Sequence, residues 1–232
     1  MNSHRFFSAT AAFIQGTTWV AARALLFLFV RFSVQGKEHL APLNGKAIIF
    51  ASNHANEVDA LLMRYALPLF SPWTPLFYPV REAPFYRNDH ETFSWRRFIY
   101  GGTIFKLLGA FPIRSGRQNY AEALQEYVVL LEEKRSVCIF PEGRMTTTGA
   151  MGEAHGGVAY LAGKTGAAVV PVRIEGTYRL TAARFIFSRP SIRIRIGAPM
   201  YLTLPRDATD GSALALHCKK QAAQVLDRIK EM

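Results

Sequence analysis

His54 and Asp59 stand five positions apart in the run Asn53-His54-Ala55-Asn56-Glu57-Val58-Asp59, a spacing that suits a base and its orienting carboxylate. The apolar run over residues 46–52 precedes them and reads as a buried strand that ends in a polar turn. Asn56 is then the expected N-cap of a helix over 57–66, which sets Asp59 in its first turn, within reach of His54. A carboxylate on one imidazole nitrogen fixes the tautomer and leaves the other free to take a proton from a hydroxyl. An acid at that helical position also serves the helix dipole, so the pair has a structural explanation beside the chemical one. No Gly-x-Ser-x-Gly elbow occurs, and direct attack of an alcohol is therefore favoured over a serine acyl-enzyme.

Three further segments carry chemistry. Ser136-Val137-Cys138-Ile139-Phe140-Pro141-Glu142-Gly143-Arg144-Met145-Thr146 is an apolar strand opening at a Pro into a turn, with Glu142 and Arg144 flanking Gly143. Phe111-Pro112-Ile113-Arg114-Ser115-Gly116-Arg117 sets guanidinium groups, suited to phosphate oxygens, beside a glycine. Ala168-Val169-Val170-Pro171-Val172-Arg173 is a buried strand whose proline favours a strand end or a sheet edge. Gly157 to Thr165 mimics a phosphate loop, but its glycines are one residue too far apart and its pattern is that of a core helix. The pairs Asp89-His90 and Glu153/His155 lack compact metal-ligand spacing, and no metal site is expected.

In this order the four segments resemble the glycerolipid acyltransferase family that includes the 1-acylglycerol-3-phosphate acyltransferases, over roughly residues 32–177. The resemblance implies transfer of a fatty acyl group from a thioester, acyl-CoA or acyl carrier protein, to the glycerol hydroxyl of a lysophospholipid, with no other cofactor. It makes His54 the general base, Asp59 its orienting carboxylate and Arg114 the phosphate-binding residue. It gives Glu142, Gly143 and Arg144 to acceptor binding and Pro171 to the acyl site. The turn Gly143-Arg144-Met145-Thr146-Thr147-Thr148-Gly149 departs from the commonest family spelling and is more similar to the lysophosphatidylethanolamine acyltransferase branch. The expected acceptor is 1-acylglycerol-3-phosphate, giving phosphatidic acid, with lysophosphatidylethanolamine as the alternative. A thioester hydrolase and a non-catalytic lipid-binding module are the rivals from other classes.

Composition agrees with a lipid surface. The net charge is +11 with a pI near 10.0, no nucleic-acid motif is present, and the cations are interleaved with apolar and aromatic residues. An anionic membrane, or an acidic carrier protein, fits this field. Residues 6–22 are free of charge and 24–30 are strongly apolar, with Arg23 between them, which reads as a monotopic anchor on a membrane-associated protein. The expected location is the cytoplasmic face of a bacterial inner membrane. The aromatic and arginine-rich stretch over 65–105 is a second candidate lipid surface. Cys138 and Cys218 are distant and read as buried hydrophobes.

The elements that must position these residues alternate. Strands are expected over 46–52, 76–80, 110–113, 137–140, 168–174 and 191–196, with helices over 58–65, 95–108, 119–133, 155–165 and 212–230. The alternation of Ile192, Ile194 and Ile196 with Arg193 and Arg195 marks a strand at or near an edge. The expected fold is α/β, a layered, mostly parallel or mixed sheet flanked by helices. It divides into a membrane-associating segment over 1–35 and an acyltransferase domain over 36–232, with His54 and Glu142 together at strand ends.

Overall fold

A computed structural model describes residues 3–81, 106–113, 119–205 and 211–232. Seven strands form one sheet, β1 (Arg31–Gln35), β2 (Ile48–Ser52), β3 (Leu76–Arg81), β4 (Ala110–Ile113), β5 (Ser136–Ile139), β6 (Ala168–Glu175) and β7 (Ser191–Ile196). Their spatial order is β1-β7-β6-β2-β5-β3-β4. Every pairing is parallel except β6 with β7, so β1 and β7 run against the other five. Among the described residues the helices are α1 (Ser3–Phe29), α2 (Asp59–Ala66), α3 (Tyr120–Glu132), α4 (Gly157–Thr165), α5 (Ala182–Phe187) and α6 (Gly211–Glu231).

Near-continuous apolar strands are what a sheet covered on both faces requires. Ile49, Ala51, Val137, Ile139 and Val169 face one layer, built by α3, α4 and α6 through Tyr127, Leu130, Val158, Leu161, Ala222 and Val225. Ile48, Phe50, Cys138, Val170, Val172 and Ile174 face the other, covered by α2, the 3-10 turn Lys37–Leu43 and the end of α1. Successive residues therefore serve opposite cores, as the pleat dictates. The Tyr127 hydroxyl is buried between β3 and β4, where it donates to the Tyr78 carbonyl at 2.8 Å and accepts from the Phe111 N–H at 3.2 Å.

Two positions differ from the sequence-based expectation. Residues 31–35 are the edge strand β1, paired in register with β7, so the sheet begins inside the segment assigned to the membrane-associating region. A five-residue strand with one polar face has too little pattern to stand out beside a 27-residue apolar helix. Pro171 lies within β6, an interior strand, not at an edge. The ladder accommodates it because β7 ends opposite Val172, and the partner chain takes one extra residue before Met200 pairs with Val169. The expected helix over 95–108 lies largely outside the described residues.

Helix α1 is continuous through Arg23, whose guanidinium sits over the rings of Trp19 and Phe32 at 5.7 and 5.3 Å. Its stretch Phe7–Phe29 is long and apolar enough to cross a membrane. One face is nevertheless docked: Ser8, Ala11, Gln15, Leu26 and Val30 are buried. The Gln15 amide accepts from the Leu76 N–H at 3.0 Å and donates to the carbonyls of Leu76 and Leu108 at 2.8 and 2.9 Å. Phe13, Val20 and Phe27, seven residues apart, form the opposite stripe at 71, 61 and 76% exposure.

Candidate functional site

β2 delivers His54 to the carboxyl end of the sheet, where ligands gather in open α/β folds. The turn after it is held by side chains. Asn53 completes the ladder toward β6, donating to the Ile174 carbonyl at 2.9 Å and accepting from its N–H at 2.7 Å. Asn56 accepts from the Val58 N–H and donates to the carbonyls of Thr177 and Leu180, each at 3.2 Å. The helix begins later than expected: Asp59 is the first residue of α2, and Asn56 closes a local turn instead of capping it.

Asp59 is fully buried. Its Oδ2 accepts from the main-chain N–H groups of Ala55 and Asn56 at 2.7 and 2.8 Å and lies 3.1 Å from His54 Nδ1. Three donors thus converge on one oxygen, which holds the proton of His54 on Nδ1. Nε2 is left as the basic nitrogen, with no hydrogen bond among the described residues. The Phe140 ring stacks on the imidazole at a centroid distance of 4.0 Å and 14°, which fixes the ring plane. His54 lines a cleft of about 200 Å³ together with Asn53, Glu142, Arg173, Thr177 and Tyr178.

Glu142 has a different place from the one its sequence suggests. It is buried, with Oε1 accepting from the His54 N–H at 3.0 Å and Oε2 from the Gly152 N–H at 2.7 Å. Both oxygens are thus engaged in bracing the His54 main chain against the loop that follows β5. That brace is doubled by the Thr146 N–H, which donates to the His54 carbonyl at 2.9 Å. Gly143 turns the loop at a φ of +63°, and a Cβ there would stand 3.0 Å from the His155 ring, so the position suits glycine. Arg144 is exposed on the far side of this turn, near Glu153 and His155. The carboxyl of exposed Glu153 is held below its ordinary range by the Lys219 ammonium, with smaller contributions from His155 and Arg144.

The structure brings His54, Asp59 and Glu142 together. Pro171 sits deeper, within β6 and opposite Ala51, while Arg144 points outward and Arg114 lies outside the described residues. Missed in the sequence were Asn53 and Asn56 as braces and Arg173, Thr177 and Tyr178 as cleft residues. The doubled asparagine around His54 was the available signal for the first two; Arg173 lies in β6 and Thr177 and Tyr178 just after it, with nothing in their types to distinguish them. A larger open depression of about 380 Å³ lies at the opposite end of β1 and β7, lined by His39, Arg195 and Arg228. His39 Nδ1 faces the Ile196 carbonyl there, and no carboxylate pairs with that imidazole among the described residues.

The crystal structure of the 1-acyl-sn-glycerophosphate acyltransferase PlsC of Thermotoga maritima shares this fold, with a TM-score of 0.60 over 95% of this chain and 80% of that one, at 20% identity. A chloroplastic 1-acyl-sn-glycerol-3-phosphate acyltransferase of Arabidopsis thaliana is 24% identical over 182 residues, 76% of this chain and 45% of that protein. A second, from Brassica napus, is 26% identical over 179 residues, 76% of this chain and 47% of its own length. The chain thus spans about half the length of the curated relatives it matches. A family profile described as Acyltransferase matches residues 31–175, from the first strand of the sheet to the last residue of β6. As that match covers more than half of the chain and takes in His54, Asp59 and Glu142, the protein belongs to the acyltransferase family.

Proposed function

We propose that the protein moves a fatty acyl group from a thioester, acyl-CoA or acyl carrier protein, to the free hydroxyl of 1-acylglycerol-3-phosphate, forming phosphatidic acid. The observation that carries this is the His54–Asp59 pair at 3.1 Å beside a cleft, with no hydrogen bond to Nε2 among the described residues. The acceptor hydroxyl attacks the thioester carbonyl carbon as Nε2 takes its proton, and Asp59 stabilises the imidazolium. Collapse of the tetrahedral intermediate breaks the carbon–sulfur bond, and the departing thiolate receives that proton. The names of the relatives from Arabidopsis thaliana and Brassica napus support this acceptor.

The cleft supports a phosphate over an ethanolamine. An ammonium would need a carboxylate with an open oxygen, and Glu142 has both engaged on main-chain N–H groups. Glu175 is shared among Arg173, Arg193 and Arg195, and Glu153 pairs with Lys219. Arg114, from the resemblance alone, is the proposed phosphate partner. The exposed stripe of α1 is proposed to lie in one leaflet, because a helix docked along its other face cannot be surrounded by lipid. The proposed location is the cytoplasmic face of a bacterial inner membrane.

Thiol release from acyl-CoA, measured with and without each lysolipid, tests the reading. Release should depend on 1-acylglycerol-3-phosphate and fall at least roughly 100-fold in His54→Ala. Equal release without acceptor would instead identify a hydrolase, and a tenfold preference for lysophosphatidylethanolamine in competition would overturn the acceptor.

A further inference from the structure

Helix α5 has no part in the chemistry above, yet its six residues include none that is buried. Ile186 and Phe187 are 48 and 84% exposed, an arrangement that water disfavours and that marks an interaction surface. The helix is held in place from behind: the ring of Phe185 packs on Phe29 of α1 at 6.0 Å, and the Pro190 carbonyl accepts from the Arg31 N–H at 2.9 Å. It therefore sits beside the end of α1, where Phe27 and Leu28 are exposed as well. The apolar surfaces of the two helices meet at one corner of the molecule.

The two segments that build that corner carry charge of one sign. Residues 1–37 contain no Asp or Glu, and residues 176–205 contain none either while carrying Arg179, Arg184, Arg189, Arg193 and Arg195. Arg193 and Arg195 are tied to Glu175, whereas Arg31, Arg184 and Arg189 are exposed and outside that network. Large apolar tips bordered by guanidinium groups match the boundary between acyl chains and anionic head groups. A side chain as exposed as Phe187 projects outward, which suits a fluid lipid surface better than a shaped protein partner.

We propose that α5 is a second lipid-docking element, placing Ile186 and Phe187 among the acyl chains of an anionic leaflet while Arg184 and Arg189 meet its phosphates. The topology gives this docking a consequence. β7 runs back along β6, so α5, which connects them, lies at the end of β6 where the His54 cleft opens. Asn56 of the catalytic turn donates to the carbonyls of Thr177 and Leu180, just ahead of α5. The cleft mouth is thereby set against the bilayer, from which a lysolipid can enter without passing through water. This consequence rests on the acyl-transfer reading; the docking itself does not.

The test needs no turnover. In the full chain, Phe187→Cys is labelled with an environment-sensitive nitrobenzoxadiazole, selectively because Cys138 and Cys218 are both buried. On vesicles of phosphatidylglycerol and phosphatidylethanolamine the emission should shift to the blue and be quenched by nitroxide lipids. Pure phosphatidylcholine should give a several-fold weaker response. A label at Leu216→Cys, an exposed site on α6, should stay water-like. The double variant Ile186→Ser, Phe187→Ser should lose roughly tenfold in vesicle partition, since each side chain removes apolar area from water on insertion, with an unchanged melting temperature. A label at 187 that stays in water while the protein sediments with vesicles overturns the proposal. So does a response to an acidic acyl carrier protein but not to vesicles, or an unaltered partition of the double variant.

Discussion

Replacing Glu142 by Gln separates two roles that its sequence position leaves entangled, binding the acceptor and bracing the base. The carboxylate is 3% exposed and receives two main-chain N–H groups, His54 at 3.0 Å and Gly152 at 2.7 Å. A hydrogen bond to a charged group contributes about 1.5–3 kcal/mol, and a buried donor left unpaired costs about 1–3 kcal/mol. Glutamine keeps one carbonyl oxygen for one of the two N–H groups and turns an NH2 donor toward the other. The expected loss is therefore about 2–4 kcal/mol, which for a domain of this size is a fall in Tm of roughly 5–15 °C. Release of the His54 N–H also lets the catalytic turn shift, and a displacement near 1 Å costs about 100-fold in rate. Thermal melts and steady-state kinetics with varied acceptor should then show kcat reduced about 10- to 100-fold, with acceptor KM within about threefold of the native value. A tenfold rise in acceptor KM at unchanged Tm and kcat would refute the bracing role and return Glu142 to the acceptor site.

Other perturbations follow from the same geometry. Asp59→Asn should keep the fold but lower kcat roughly 1,000-fold through loss of the fixed tautomer; loss below tenfold would remove Asp59 from the mechanism. Asn53→Ala leaves the N–H and carbonyl of Ile174 unpaired in the interior and should cost about 2–4 kcal/mol in urea unfolding; an unchanged midpoint would count against it. Deleting α1 should lower Tm, because Gln15 satisfies the main chain of Leu76, whereas Phe13→Ser with Phe27→Ser should release the protein from vesicles at constant Tm. Burial pushes the Cys218 thiol from 9.0 up to about 11, and the buried Tyr78 and Tyr127 hydroxyls move in the same direction. Groups raised on folding favour the native state fully below their unfolded values. Stability should hold to about pH 9 and then decline toward pH 11; a rise across that interval would contradict the burial of these groups.

The sequence disclosed most where pattern and chemistry coincide. Six of the seven strands lie within two residues of their expected bounds, because runs such as Ile48 to Ala51 and Ala168 to Val172 are apolar on both faces and bounded by polar residues. β1 escaped because its pairing is non-local: nothing in Arg-Phe-Ser-Val-Gln announces Ser191 to Arg195 as its neighbour. The His54–Asp59 contact was legible from spacing, since a turn between strand and helix confines two such residues to one end of the sheet. Glu142 was legible as standing with His54 at the strand ends but not as a brace, because its partners are main-chain groups, which carry no residue identity. The docked face of α1 stayed hidden for a related reason. A buried glutamine in an apolar helix looks like a diluted membrane span until its bonds to Leu76 and Leu108 are seen.

One chain reversal decides how these parts act together. Were β7 parallel to β6, it would begin at the opposite end of the sheet. A strand of six residues at about 3.3 Å per residue would then carry its first residue, and the start of β1 beside it, roughly 20 Å from the cleft. Because β7 is antiparallel, Arg193 lies opposite Glu175, and Ser191 lies beside Gly176, whose φ of +90° and lack of a Cβ let the two strands approach. β1 runs parallel to β7 and follows α1 directly, so it brings the end of the apolar helix to the same end of the sheet as His54. The base, the cleft, α5 and the last turn of α1 thus lie at one end of the sheet as a result of strand direction. Substitutions that weaken the β6–β7 pairing, at Gly176 above all, should therefore disturb vesicle binding and turnover together, whereas substitutions in α3 or α6 should disturb neither until the protein unfolds.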